Sequence, residues 1–435
     1  MKNIAVIGTG YVGLVSGAGL SDFGNIVCCL DIDKEKIKLL NNGKIPIYEP
    51  GLKELVNRNV KSKRLKFSND LENSIRYSEV IFIAVGTPEQ ESGEADISAV
   101  LQVSELIGKN LNNYKVICTK STVPIGTGRK IIDIINKHNQ KNIEFDYCSN
   151  PEFLREGKAV SDFLKPDRVV LGVSSEKAYK YMKDIYRSLY INKTPLINTT
   201  IETAEMIKYA ANAFLALKIS YINEVANLCD EIGADINVVS EALGSDGRIS
   251  PKFLHPGPGF GGSCFPKDTK ALVQVANKYE LKMNTVNAAI KTNNYQRIRM
   301  FNKIEGLLEG NLKNKKIAVL GLSFKQETDD VRESPAIDII LELINREVSV
   351  KAYDPVANDS MKEIIPDIDY KLNWQSAVKE CDAVVFMTEW NEFRGLNLKE
   401  LKELMFTPIV LDTRNILNIS ELKRLEFKFD NVGRK

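Results

Sequence analysis

The stretch Asn3-Ile4-Ala5-Val6-Ile7-Gly8-Thr9-Gly10-Tyr11-Val12-Gly13 opens the chain with an apolar run that breaks into a G-x-G-x-x-G pattern. The spacing predicts a buried strand, a tight turn and the start of a helix over residues 14–23: Gly8 permits the turn, Gly10 admits a pyrophosphate to the backbone, and Gly13 packs helix on strand. Amides exposed at that helix start, beside Tyr11 and Val12, hold an anion. Some twenty residues on, Asp31 closes a second apolar run and is placed to accept hydrogen bonds from an adenosine ribose. A carboxylate there repels a 2′-phosphate, which predicts NAD rather than NADP. A βα turn with no ligand is the alternative, and the full strand-glycine-helix-acid context stands against it.

Short β-branched runs at residues 4–7, 27–30, 80–85, 116–119 and 169–173 alternate with amphipathic stretches, the signature of an α/β parallel sheet. Gly86-Thr87-Pro88 and Ser121-Thr122-Val123-Pro124 follow two of these runs directly, at strand carboxyl ends where open α/β sheets bind ligands. Residues from 199 to about 233 then read as one helix, opened by Thr199-x-x-Glu202 as a capping box and closed at Gly233. At 1.5 Å per residue, about thirty residues span roughly 45 Å, enough to bridge domains and to offer a face to a second subunit. An irregular segment, 244–268, precedes further helix over residues 269–302.

The third section begins as the first did. Lys316-Ile317-Ala318-Val319-Leu320-Gly321 echoes residues 2–8, and Val350-Lys351-Ala352-Tyr353-Asp354 echoes the strand ending at Asp31. Gly321-Leu322-Ser323-Phe324-Lys325 lacks the second and third glycines, so this section is expected to hold the other ligand. The expected architecture is two Rossmann-like doubly wound parallel-sheet domains, residues 1–198 and 311–435, joined by a central helical dimerisation domain at 199–310.

With 435 residues, 43% hydrophobic and 27% charged, and a formal net charge of +2, the chain reads as an ordinary globular protein. Its interspersed charges call for neither nucleic acid nor an anionic membrane as partner. No stretch reaches the roughly 18 apolar residues of a membrane span, and the apolar start lacks a cleavage signal, so the cytoplasm is the expected location. Seven cysteines without metal-ligand spacing predict reduced thiols and no metal. Cys28, Cys118 and Cys381 lie in or beside apolar runs, where a thiol is an inert small hydrophobe.

Cys264 stands apart, in Gly259-Phe260-Gly261-Gly262-Ser263-Cys264-Phe265-Pro266-Lys267-Asp268. Glycines let backbone approach a ligand, and Lys267 favours a thiolate. Only His138 and His255 are available as imidazole bases, which leaves a simple histidine-dependent alcohol oxidation poorly supplied. A thiolate offers another route: addition to an aldehyde, oxidation to a thioester, and hydrolysis to an acid. A primary alcohol reaches the acid by two hydride transfers.

These features recur with Tyr48-Glu49-Pro50-Gly51-Leu52, Asn150-Pro151-Glu152-Phe153-Leu154-Arg155-Glu156-Gly157 and Pro166-Asp167-Arg168-Val169. In combination they are specific, and over nearly its whole length the chain resembles the nucleotide-sugar 6-dehydrogenase (UDP-glucose/GDP-mannose dehydrogenase) family. The resemblance implies that Cys264 is the nucleophile and that Lys208, Asn212, Asp268 and Thr122 surround the reacting carbon and a water. Glu152 or Glu156, with Glu152 favoured, activates that water. It further implies sugar-nucleotide contacts from Glu152, Phe153, Leu154, Lys208, Asn212, Phe253, Phe260, Gly261, Lys325 and Arg414, with Arg248 reaching into a partner's site across a homodimer. Lys36, Gly86, Thr87, Thr122 and Arg332 fall on its cofactor side.

Lys208 and Asn212, four apart, share one helix face. Without the resemblance, Lys208 reads as a solvated lysine, the glutamates as surface carboxylates, Asp268 as a helix cap and Thr122 as a strand-end hydroxyl. The segment 153–157 with residues 166–169 resembles the UDP-glucose branch, so oxidation of UDP-glucose to UDP-glucuronate is expected. GDP-mannose or a UDP-N-acetylhexosamine as substrate, a two-electron hydroxyacid dehydrogenase and a non-catalytic nucleotide-binding protein are the alternatives.

Overall fold

Strand β1 (Asn3–Ile7) carries four consecutive buried residues, as a parallel strand covered on both faces must. The computed structural model describes residues 1–434 in two compact units, Met1–Ala211 and the chain from Asn212 onward. The boundary falls inside the helix Ile201–Ile232.

In the first unit β1 joins β2 (Ile26–Leu30), β3 (Leu65–Ser68), β4 (Val80–Ile83), β5 (Lys115–Thr119), β6 (Phe145–Ser149), β7 (Val169–Val173) and β8 (Leu196–Thr199). Their order is β3-β2-β1-β4-β5-β6-β7-β8. The order reverses between β1 and β4, which places a crevice at their carboxyl ends. Successive side chains serve opposite faces: Ile4 and Val6 pack with Leu14 and Val27 on one side, Ala5 and Ile7 with Ile81 and Ile83 on the other.

One junction departs from the expected parallel pattern. β6 and β7 run antiparallel, with Cys148 opposite Val173 and Ser149 opposite Gly172. The segment 150–168 therefore stays at the carboxyl end of β6 instead of crossing the sheet, and it carries Glu152 there. Helix Ile201–Ile232 is also capped one residue later than the sequence suggests. Thr199 ends β8, and Thr200 Oγ1 accepts from the Thr203 amide at 3.3 Å. Glu202 does not reach back to the backbone of a cap; it pairs with Arg129 at 2.6 Å.

The second unit holds the helices Phe265–Asn277 and Asn284–Leu307 and a sheet of β9 (Lys316–Leu320), β10 (Ser349–Tyr353), β11 (Asp369–Tyr370), β12 (Ala383–Phe386), β13 (Ile409–Asp412) and β14 (Lys428–Asn431). Its order is β11-β10-β9-β12-β13-β14, parallel throughout. This repeats the strand plan of the first sheet, as the echo between residues 2–8 and 316–321 predicts. The predicted helix at 269–302 is two helices, and the first begins at Phe265 because Pro266 suits a first helical turn, where no amide bond is lost. Among the described residues no helix is long and apolar enough to cross a membrane.

Candidate active site

The glycine turn after β1 is built by close approach. A Cβ on Gly13 would lie 1.9 Å from the Gly8 carbonyl oxygen, whereas a Cβ on Gly10 would meet nothing within 4 Å. Thr9 ties the turn to the end of β2: its amide and hydroxyl donate to Asp31 Oδ2 at 2.9 and 2.6 Å. The Asp33 amide donates to Oδ1 at 3.1 Å, and Lys36 Nζ stands 3.5 Å from Oδ2. Partial burial opposes the charge, but the Thr9 and Asp33 hydrogen bonds and Lys36 outweigh it and hold Asp31 below the usual carboxylate range. Thr87 Oγ1 donates to the Thr122 carbonyl at 2.8 Å, joining the loops after β4 and β5; Gly86 has open space where a Cβ would stand.

The equivalent acid of the second sheet is used differently. Asp354 Oδ2 accepts from the Leu322 and Ser323 amides, the Ser323 hydroxyl and Trp390 Nε1, while Oδ1 accepts from the amides of Val356 and Ala357. Asp354 is a buried staple. Asp31, with fewer donors and a partly exposed side chain, retains acceptor capacity on Oδ1 for a ribose hydroxyl.

Glu152 lies in the segment that the antiparallel β6–β7 turn holds at the strand ends. Its Oε1 accepts from Lys208 Nζ at 2.9 Å, and its Oε2 from the Leu154 amide at 2.5 Å. The Phe153 ring lies 3.5 Å from the Arg168 guanidinium carbon and 5.3 Å from Lys208 Nζ. Glu156 acts electrostatically on the Tyr11 phenol, which is hydrogen-bonded to Glu49 and pushed far up by burial and by that carboxylate. The structure thus brings Glu152, Lys208 and Phe153 together.

Within the second unit Cys264 is the N-cap of helix Phe265–Asn277, where the helix dipole favours negative charge on sulfur. Gly262, at φ +79°, makes this possible: a Cβ there would sit 2.7 Å from the Phe324 ring. Its amide donates to the Arg332 carbonyl at 2.8 Å. One turn into the helix, Asp268 is 1% exposed and accepts from Asn212 Nδ2 at 2.6 Å. Lys267 Nζ donates to Asp268 Oδ1 at 2.5 Å, so the lysine expected to serve the thiol is engaged by the neighbouring acid. Asp268 lies inside the first turn rather than ahead of a helix at 269, so it is not an N-cap.

The other binding positions are spread over the second unit. Phe260 and Phe253 each meet the Phe265 ring edge-on, at 6.0 and 6.1 Å, and Gly261 leaves no room for a Cβ against the Glu333 carbonyl. Lys325 Nζ lies 5.2 Å from the Phe324 ring. Arg414 donates to the Met387 and Phe324 carbonyls at 2.8 and 2.9 Å and so ties together loops that follow β12 and β9. Arg248 and Arg332 each grip an aspartate two residues before them, Asp246 and Asp330; Arg248 is strongly exposed.

Comparison with known proteins gives three matches in chain order. Residues 2–190 match the UDP-glucose/GDP-mannose dehydrogenase family, NAD binding domain, residues 202–295 its central domain, and residues 318–419 its UDP binding domain. The chain belongs to the UDP-glucose/GDP-mannose dehydrogenase family. It is 46% identical over 435 residues, 100% of this chain and 94% of the other, to UDP-glucose 6-dehydrogenase TuaD of Bacillus subtilis. Identity is also 46% to UDP-glucose 6-dehydrogenase of Rhizobium meliloti, covering 99% of both chains. Among solved structures, a UDP-glucose dehydrogenase from Pyrobaculum islandicum superposes with a TM-score of 0.93 at 34% identity, over 100% of this chain and 98% of that one.

As a member of this dehydrogenase family the chain uses NAD, and the residues after β1 and β2 fit that cofactor. Open space at Gly10 admits a pyrophosphate, and the Asp31 carboxylate suits a free ribose hydroxyl. Several residues of this family member carry structure for which the sequence reading gives no role. Glu49, buried, accepts from the Gly157 amide at 2.7 Å. Glu205 accepts from the Gly126 and Gly128 amides, both at 2.7 Å, and so binds the start of helix Thr127–His138. Lys120 and Asn150, first beyond the ends of β5 and β6, are both buried, and Lys120 Nζ donates to Asn150 Oδ1 at 3.1 Å.

Proposed function

We propose that the protein oxidises UDP-glucose to UDP-glucuronate in two steps, with Cys264 holding the sugar covalently between them. The carrying observation is the placement of Cys264 at a helix N-terminus with the buried Asn212–Asp268 pair one turn beyond it. NAD, when bound, takes up a hydride in each oxidation. The Cys264 sulfur adds to the aldehyde carbon, and Asp268, held by Asn212, supports the proton movements around that carbon. Lys208 steadies negative charge on the sugar oxygen. In the last step water adds to the thioester carbon, the carbon–sulfur bond breaks, one water proton passes to Glu152, and the thiolate of Cys264 is restored.

The sections 1–198, 199–310 and 311–435 serve the cofactor, assembly and the nucleotide sugar in this reading, supported by the UDP binding domain match at 318–419. The contacts assigned above to Phe153, Leu154, Arg248, Phe253, Phe260, Gly261, Lys325 and Arg414 on the sugar side, and to Lys36, Thr87 and Arg332 on the cofactor side, belong to the same proposal. A homodimer is supported by the exposed apolar side chains of Phe214, Tyr221, Leu228 and Ile232, spaced by four or seven residues and so aligned along one helix face. A cytoplasmic location accords with seven cysteines that are all thiols. The test is stoichiometry: UDP-glucose, GDP-mannose and UDP-N-acetylmannosamine are offered side by side, and two NADH per UDP-glucose with acid as product is the expected result. One NADH per sugar rejects the two-step route.

A further inference from the structure

The first unit holds two fully buried lysines on one strand and its extension, and they are bonded in opposite ways. Lys115 Nζ donates to the Arg76 and Ser78 carbonyls and to Asn113 Oδ1, at 3.0, 2.6 and 2.7 Å, so its three protons are all engaged. Lys120, 5% exposed, donates among the described residues to one acceptor, Asn150 Oδ1 at 3.1 Å. That oxygen also accepts from Tyr186 Oη at 2.6 Å, while Asn150 Nδ2 donates to the Val170 carbonyl at 2.8 Å, which fixes the amide. A buried ammonium with one neutral acceptor contributes little that a methionine could not supply.

What surrounds Lys120 gives it another use. Thr119 and Ser149 are opposite one another in the β5–β6 register, so Lys120 and Asn150 leave the sheet side by side, and Glu152 follows two residues on. The groups acting on the Lys120 ammonium are Cys118 from β5, Cys148 from β6, Glu152 from the following segment and Lys208 from helix Ile201–Ile232, with the Tyr186 ring 6.0 Å away. Burial lowers its pKa to about 8, partly countered by the Glu152 carboxylate and reinforced by Lys208, the buried cysteines being neutral thiols. Glu152 therefore stands among two cations, one bonded to it directly and one held by Asn150.

We propose that Lys120 is a positioning residue for thioester hydrolysis, a second cation that keeps Glu152 in its charged, proton-accepting form when Lys208 turns to the sugar oxygen. This inference rests on the two-step reading above. In that step Lys120 exchanges no bond: water gives its proton to Glu152, and Lys120 only favours the carboxylate that receives it.

Single-turnover decay of the thioester, followed by intact mass against pH, tests the idea in Lys120→Gln, which keeps a donor for Asn150, and Lys120→Met, which does not. Both are expected to move the acid limb of hydrolysis up by about one pH unit, about tenfold slower decay below the limb, with the first oxidation slowed less than hydrolysis. An unmoved limb, or equal slowing of every step, overturns the proposal. So does loss of folding in both variants, which would make Lys120 structural like Lys115. A stability cycle of Lys120→Met with Glu152→Gln, read by urea unfolding, is independent of turnover; coupling of about tenfold in the unfolding constant is expected, and additivity overturns the inference. If no nucleotide sugar is oxidised, the functional reading falls and takes the hydrolytic role with it, whereas additivity in the cycle with turnover intact overturns this inference alone.

Discussion

Lys208 Nζ and Glu152 Oε1 form an ion pair at 2.9 Å whose side chains are only 4% and 5% exposed. Removing one member leaves the other charged and without its direct hydrogen-bonded partner in a dry setting, which costs about 3–5 kcal/mol, whereas replacing both by apolar groups is far milder. Lys208→Met is expected to lower stability in urea by about 3 kcal/mol, and Lys208→Met with Glu152→Leu to recover most of it. Activity is lost in both, so stability and turnover separate.

Cys264→Ala is expected to lower acid formation by at least about three orders of magnitude while leaving the fold intact. Glu152→Gln, by contrast, should let a covalent sugar adduct accumulate on Cys264. Intact-protein mass after mixing with UDP-glucose and NAD reads both outcomes; full acid production by Cys264→Ala refutes the nucleophile.

Much of this was legible in the residues, and the parts that were not have physical causes. Residues 3–13 and Asp31 announce strand, turn and partner strand because each glycine has a steric task that few other arrangements impose. Strand direction is a different matter: a run such as 169–173 is equally apolar read either way, and the antiparallel β6–β7 junction depends on a tertiary return. Lys120, Glu49 and Glu205 look like ordinary surface charges in sequence, since burial of a charged side chain is decided by elements far away in the chain. Thr200 rather than Thr199 caps the long helix because β8 claims Thr199 for its ladder with Gly172.

Asp31→Ser should raise the KM for NAD and narrow the preference over NADP, since the repelling carboxylate is gone and the Thr9 tether is shortened. Steady-state kinetics with both cofactors measures it. An unchanged preference means Asp31 is only a loop staple.

Glu205 gives a pH dependence of stability. Burial pushes its carboxyl up to about 7 against the two amide hydrogen bonds, while the unfolded chain keeps the ordinary value near 4.3. Between those values the folded state binds more protons, so its contribution is complete below about pH 4.3 and lost as pH rises through about 7, a change of about 3–4 kcal/mol. Thermal melts of the parent across this window should show that decline, and Glu205→Gln should flatten it.

Gly262→Ala places a methyl against the Phe324 ring at a φ of +79°. A loss of about 1–3 kcal/mol is expected, together with slower alkylation of Cys264 by iodoacetamide as the helix start is displaced. Unchanged alkylation would separate the loop's packing from the thiol's reactivity.

Asp31 and Asp354 end corresponding strands of two similar sheets, yet one keeps acceptor capacity open to an incoming molecule and the other is consumed in mooring its own loop. Duplicating a scaffold therefore does not duplicate its specificity. An engineer who grafted the missing glycines beside Gly321 would still have no acceptor to offer a ribose, because liberating Asp354 would strand the amides of Leu322, Ser323, Val356 and Ala357 and the Trp390 indole. The second sheet's internal wiring closes that role to Asp354.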